Sequence, residues 1–116
     1  MIIRGEVIRG AQLGRKMGFP TANIDAQNLT TIDNGVYASA VEIAGQRYAA
    51  MSNIGLRPSV DGTTRLLETH LFGFEGDLYG QEIEVELLRK IRDEQRFASI
   101  DALRQQLERD AQECQK

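Results

Sequence analysis

Within residues 81–88 the core of the stretch alternates cleanly, with Ile83, Val85 and Leu87 on one side and Glu82, Glu84 and Glu86 on the other. A period of two with one apolar and one charged side marks an antiparallel strand facing a core on one side and water on the other. That apolar side needs a partner, and most of the chain is cut into strand-length pieces. Residues 2–9, 21–24, 35–43, 47–54 and 66–74 read as further extended segments, separated by glycines and by the Asn34-Gly35 and Ala44-Gly45-Gln46 turn signals. Residues 55–64, with Gly55, Pro58 and Gly62, read as a loop, and residues 89–96 (RKIRDEQR) as a solvated linker. The period changes only at the C-terminus, where Ile100, Leu103, Leu107 and Ala111 fall at helical spacing behind a Ser99 cap, with Asp101 in the first turn. Five or six short strands and one helix leave many sheet edges to dispose of. The expected solution is a mainly β fold, a small closed antiparallel Greek-key β-barrel with the C-terminal α-helix packed across its wall.

The 116 residues suit one domain, 1–116, able to bury roughly 65% of its unfolded surface. No apolar run approaches the ~20 residues of a membrane-spanning helix, and residues 1–10 carry no secretory signal, so no membrane is expected. The single cysteine, Cys114, excludes an internal disulfide and a cysteine zinc cluster and fits a cytoplasmic setting. With 17 acidic against 14 basic residues the net charge is −3, which argues against nucleic acid as a partner.

Three stretches could carry chemistry. Gly10, Gly14 and Gly18 recur every four residues around Arg15 and Lys16, and Pro20-Thr21-Ala22-Asn23 follows almost at once. Glycine-rich backbone can turn N–H groups toward phosphate, and the hydroxyl of Thr21 and amide oxygen of Asn23, on one face of an extended segment, are hard donors suited to Mg²⁺. Alternatively the glycines punctuate a surface loop and the two polar residues cap a turn, and on spacing alone this plainer reading carries more weight. In Glu68-Thr69-His70, Glu68 and His70 share the less buried face of a strand, because Leu67 and Leu71 flank Thr69 on the other. Glu68 is either a general base or one half of a solvated pair, with His70 structural in both cases. Residues 72–80 (FGFEGDLYG) either offer backbone and aromatic contacts to a flat base or form a turn whose aromatics plug a barrel end.

Together these stretches resemble riboflavin kinase. The likeness lies in Gly10-xxx-Gly14-Arg15-xx-Gly18-Phe19-Pro20-Thr21-Ala22-Asn23-Ile24, Gly35-Val36-Tyr37, Ser52-Asn53-Ile54-Gly55 with Arg57-Pro58, Glu68-Thr69-His70, Gly76-Asp77-Leu78-Tyr79-Gly80, and Ile91-Arg92 leading to Phe97, all in the family's order. Gly73 and Ser59 depart from it, standing where relatives often carry a carboxylate and a threonine. The resemblance implies a six-stranded antiparallel barrel that transfers phosphate from ATP, with Mg²⁺, to the 5′-hydroxyl of riboflavin, giving FMN and ADP. It implies Thr21 and Asn23 as metal ligands and Glu68 as the catalytic base. Gly10, Gly14, Arg15, Lys16 and Gly18 would form a flap over the nucleotide, with Pro20, Thr21, Asn23, Gly76, Asp77, Tyr79 and Gly80 around it. Glu68, Arg92 and Phe97 would lie against the flavin. ATP and riboflavin are thus the expected partners of a monomer. In the bacterial form the module usually follows an FMN adenylyltransferase domain, whose motifs this sequence lacks, so the chain is either a free-standing kinase or such a domain excised. A rival of another class is a flavin-carrying barrel without catalysis.

Overall fold

The computed structural model describes residues 1–8, 20–59 and 62–116. Six strands follow one another: β1 (Ile2–Glu6), β2 (Ala22–Asp25), β3 (Gly35–Ile43), β4 (Gln46–Ser59), β5 (Gly62–Leu71) and β6 (Glu82–Arg92). One helix, α1 (Ile100–Cys114), comes last. All strand pairs are antiparallel, in the order β1-β6-β3-β4-β5-β2. Strands β3, β4 and β5 form a meander and β6 returns beside β3, which is the Greek-key arrangement. The sheet curls until its outer strands meet: the Ile8 N–H donates to the Asn23 carbonyl at 2.7 Å. Gly5 shows how close they come, since a Cβ there would lie 2.5 Å from Cγ2 of Ile24. The mainly β barrel with a C-terminal helix is therefore the observed fold.

Alternation sorts each strand between two clusters. Ile24, Tyr37, Val41, Ile54, Leu67, Ile83 and Val85 fill the barrel interior, where Ile54, Leu67 and Val85 are 0% exposed. Each such side chain contributes about 1.5–3 kcal/mol. Within this apolar filling runs a polar chain: Ser39 Oγ to Ser52 Oγ at 2.8 Å, and Ser52 Oγ to Thr69 Oγ1 at 2.8 Å. On the outer surface Val36, Ala38, Met51 and Cys114 form a second cluster with Phe72, Ile91 and Leu107, and this is where α1 packs. Ser99 caps the helix as expected, its hydroxyl accepting from the Ala102 N–H at 3.1 Å. Its far end lacks a basic residue of its own, but Arg89 donates to the Glu113 carbonyl at 2.8 Å. A register shift between Ala38 and Ser39 makes this reach possible, pairing Ala38 with Arg89 and Ser39 with Leu87, so that Arg89 follows Ala38 onto the outer face. Burial, reinforced by the Asp110 charge, pushes the Cys114 thiol up to about 11.

Three segments differ from the sequence reading, the first being residues 66–74, where the strand ends at Leu71 and the chain turns at residues 72–73. Residues 55–64 are not a loop at their ends: β4 runs on to Ser59 and β5 begins at Gly62, with pairing up to that point. The charged stretch after Leu88 is strand as far as Arg92. Among the described residues no helix is long and apolar enough to cross a membrane.

Arg65 organises the connection between β2 and β3. It donates to the carbonyls of Ala26, Leu29 and Ile32 and, at 2.8 Å, to Asn34 Oδ1. Replacing it leaves several acceptors without a donor. Arg65→Met should lower stability by about 2–4 kcal/mol, read as a lower urea midpoint at unchanged slope.

Candidate functional site

The strand register assembles one row of residues on the outer face. Asn23 stands opposite Glu68, Glu68 opposite Asn53, Asn53 opposite Val36, and Val36 opposite Arg92. Directly paired residues of antiparallel strands project to the same face. Two side chains that sequence spacing cannot connect, Asn23 and Glu68, are thereby neighbours one strand apart. Asn23 is 4% exposed, and among the described residues its Oδ1 has no hydrogen-bond partner, nor has the buried Oδ1 of Asn53 on the far side of Glu68. An orphaned buried carbonyl oxygen costs about 1–3 kcal/mol, so it marks a position built for something other than stability.

Next to this row lies a cavity of about 150 Å³ at the seam of the barrel. Pro20, Thr21 and Asn23 line it from the start of β2, Gly76, Asp77 and Tyr79 from the β5–β6 loop, and Thr69 and Phe74 from behind. Six of the expected nucleotide contacts thus surround one hollow. Asp77 Oδ1 accepts from the Tyr79 N–H at 2.9 Å and shapes the loop. Gly80 is not among the lining residues; its N–H donates to the Val7 carbonyl at 2.9 Å and closes the turn behind them. The aromatics divide: Phe74 packs on the interior cluster and meets the Tyr48 ring edge-on at 5.3 Å, as a barrel plug would, while Tyr79 is 50% exposed at the cavity. Gly10, Gly14, Arg15, Lys16 and Gly18 lie outside the described residues.

Glu68 does not line the cavity and adjoins it through Asn23. It accepts from Arg57 Nε at 2.5 Å, with Glu68 and Arg57 side chains only 19% and 22% exposed. Burial works against the Arg57 charge, but Glu68 and then Glu94 outweigh it and hold the guanidinium above its usual range. Arg57 went unassigned in the sequence; the Arg57-Pro58 pair was the signal available. His70 is structural, its Nδ1 2.7 Å from the Pro20 carbonyl oxygen and its ring edge-on to Phe72 at 5.2 Å.

Arg92 and Phe97 come together at the other end of the row, the guanidinium 5.7 Å from the ring centroid. They stand three strand spacings from Glu68, roughly 14 Å. Arg92 is tied to α1 by donating from Nε and Nη2 to the Asp110 carboxylate, 2% exposed, at 2.8–3.1 Å. Gln106 donates to the same carboxylate at 2.9 Å.

The family model for flavokinase (riboflavin kinase) matches residues 1–116. The chain belongs to the flavokinase family. It is 45% identical over 111 residues to the bifunctional riboflavin kinase/FMN adenylyltransferase of Haemophilus influenzae, covering 95% of this chain and 36% of the relative. To the RNA-binding riboflavin kinase RibR of Bacillus subtilis it is 44% identical over 110 residues, covering 94% and 47%. The chain thus spans between about a third and a half of these relatives. Among solved structures, the riboflavin kinase of Trypanosoma brucei superposes with a TM-score of 0.68 at 28% identity, covering 98% of this chain and 76% of that one. A chain described as a macrolide-efflux protein of Streptococcus pneumoniae gives 0.83 at 34%, covering 99% and 38%. Both solved structures superpose over nearly the whole of this chain.

Removing the buried Asp110 carboxylate from this flavokinase domain strands Arg92. Asp110→Ala should cost about 3–5 kcal/mol, with a lower melting temperature and faster amide exchange in α1 as the readout.

Proposed function

We propose that the chain transfers the terminal phosphoryl group of ATP to the 5′-hydroxyl of riboflavin, giving FMN and ADP. Family membership supports the reaction class, and one juxtaposition supports the assignment of roles: the Asn23–Glu68 pairing, with the Asn23 Oδ1 beside the cavity and without a partner among the described residues.

Phosphoryl transfer asks a protein mainly to position groups and balance charge. The nucleotide fits the cavity end of the row, with Pro20, Gly76, Asp77, Tyr79 and the adjoining Gly80 turn around it. Gly10, Gly14, Arg15, Lys16 and Gly18 are assigned to the phosphates, the two cations offsetting their charge. The alcohol sits over Glu68, which takes its proton as the oxygen attacks phosphorus. The flavin extends from there along the row toward Arg92 and Phe97. Thr21 and Asn23 fit a hard cation, since a buried amide oxygen lacking a donor is a ligand in waiting, and such a site needs only one or two protein donors beside phosphate and water. Mg²⁺ bound there would supply charge neutralisation on the phosphates. We take the domain to be a cytoplasmic monomer, and by likeness to the bifunctional relatives its product is one that an FMN adenylyltransferase consumes.

Incubation with ATP, Mg²⁺ and riboflavin, followed by chromatography, should yield FMN; a flavin carrier would return riboflavin unchanged. Glu68→Gln should keep the fold and nucleotide binding while kcat drops by about 10²–10⁴. Undiminished turnover would remove Glu68 from the reaction. Asn23→Ala should weaken ATP binding in the presence of Mg²⁺ by at least about tenfold and leave riboflavin affinity near its starting value, as measured by calorimetry.

A further inference from the structure

Glu68 carries one hydrogen bond that the reaction does not call for. Arg57 Nε donates to its Oε1 at 2.5 Å, while Oε2 receives none from the described residues. The final torsion of a glutamate is broad and roughly two-fold, so a carboxylate left alone on a sheet surface would swing. A single contact to one oxygen fixes its plane and leaves the other oxygen to take a proton. Arg57 can do this because all its nitrogens are committed: Nε to Glu68, Nη1 to its neighbour's carbonyl at Leu56 (2.9 Å), and Nη2 to Glu94 Oε1 (3.4 Å).

Glu94 lies in the stretch joining β6 to α1, and its seat on β4 is cut to size. A Cβ built on Gly55 would lie 2.4 Å from Glu94 Oε2 and 2.5 Å from its Cδ. Gly55 alternates with Asn53 and Arg57 on the outer face of β4, so the missing side chain is the space the carboxylate occupies.

Resting on the kinase reading above, we propose that Arg57 is a positioning residue for Glu68 and that Glu94, seated on Gly55, holds Arg57 in place. The chain of contacts makes the stretch between β6 and α1 part of the catalytic apparatus, although none of it touches the transferred phosphate. A lysine at position 57 would keep the charge but lose the planar fork that serves three acceptors at once.

The test compares Arg57→Lys, Glu94→Gln, Gly55→Ala and the Glu94→Gln/Gly55→Ala double variant with the parent, and uses Glu84→Gln, on the β6 face paired with Arg4, as a charge-removal control. Glu94→Gln and Gly55→Ala should each lower kcat about tenfold, because displacement of a reacting group by ~1 Å can cost up to ~10²-fold. KM for ATP should stay within about twofold. The double variant should be no slower than the worse single one, as both cut the same link. Arg57→Lys should fall at least as far, and Glu84→Gln should match the parent. In ¹⁵N spectra the Arg57 Nε–H should exchange slowly in the parent and rapidly in Glu94→Gln, which reads the link even where turnover is too slow to measure. Parental kcat in both single variants, losses that multiply in the double variant, or an unchanged Nε–H would overturn the relay alone. Absence of FMN from the parent protein would overturn the kinase reading and the relay with it.

Discussion

The pairing of β2 with β5 is the constraint on which the rest of the molecule depends. Only four residues, Ala22 to Asp25, meet Thr69 to Leu66, yet this register decides which side chains enter the barrel and which face outward. With Ile24 opposite Leu67, both fall inside; with Asn23 opposite Glu68, both fall outside. A slip of one residue would turn the amide and carboxylate into the barrel and the apolar side chains out of it. So short a strand cannot hold its register by ladder bonds alone. It is pinned by the close approach of Ile24 to Gly5, by the Ile8–Asn23 bond, and by His70 gripping the Pro20 carbonyl. Closing the barrel and assembling the site are the same event.

The outer face shows how a small barrel carries polar machinery without giving up its core. The interior is filled from all six strands, so the outer surface of β2, β5 and β4 is free for Asn23, Asn53, Arg57 and Glu68. The helix covers the neighbouring part of that face through Met51, Val36 and Leu107, and the Arg92–Asp110 pair lashes its middle to β6. The amide oxygens of Asn23 and Asn53, buried without a partner among the described residues, sit against that apolar filling.

Much of this was legible in the chain. Residues 81–88 declared their strand because one side faces water, and the C-terminal helix because its apolar positions change period at Ser99. The Greek key followed from the number of edges to be hidden. Residues 55–64 misled because Gly55 and Pro58 are usual loop residues. In the fold Gly55 makes room for Glu94, and Pro58 sits near the hairpin tip, opposite Thr63. Once that stretch is taken as loop, Arg57 has no reason to meet Glu68. The ordered motifs put Thr21, Asn23 and Glu68 in one site, but their adjacency across a ladder, and the bond of Arg92 to a carboxylate far down the helix, belong to three-dimensional register and leave no mark on local spacing.

The buried hydroxyl chain has one more consequence. Ser39, Ser52 and Thr69 are joined by two bonds in which either oxygen can be the donor. The three protons can therefore run in one sense or reverse together without any heavy atom moving. Thr69 stands at the end of that chain and borders the cavity. The hydroxyl that ends the chain behind the hollow thus has no fixed polarity of its own.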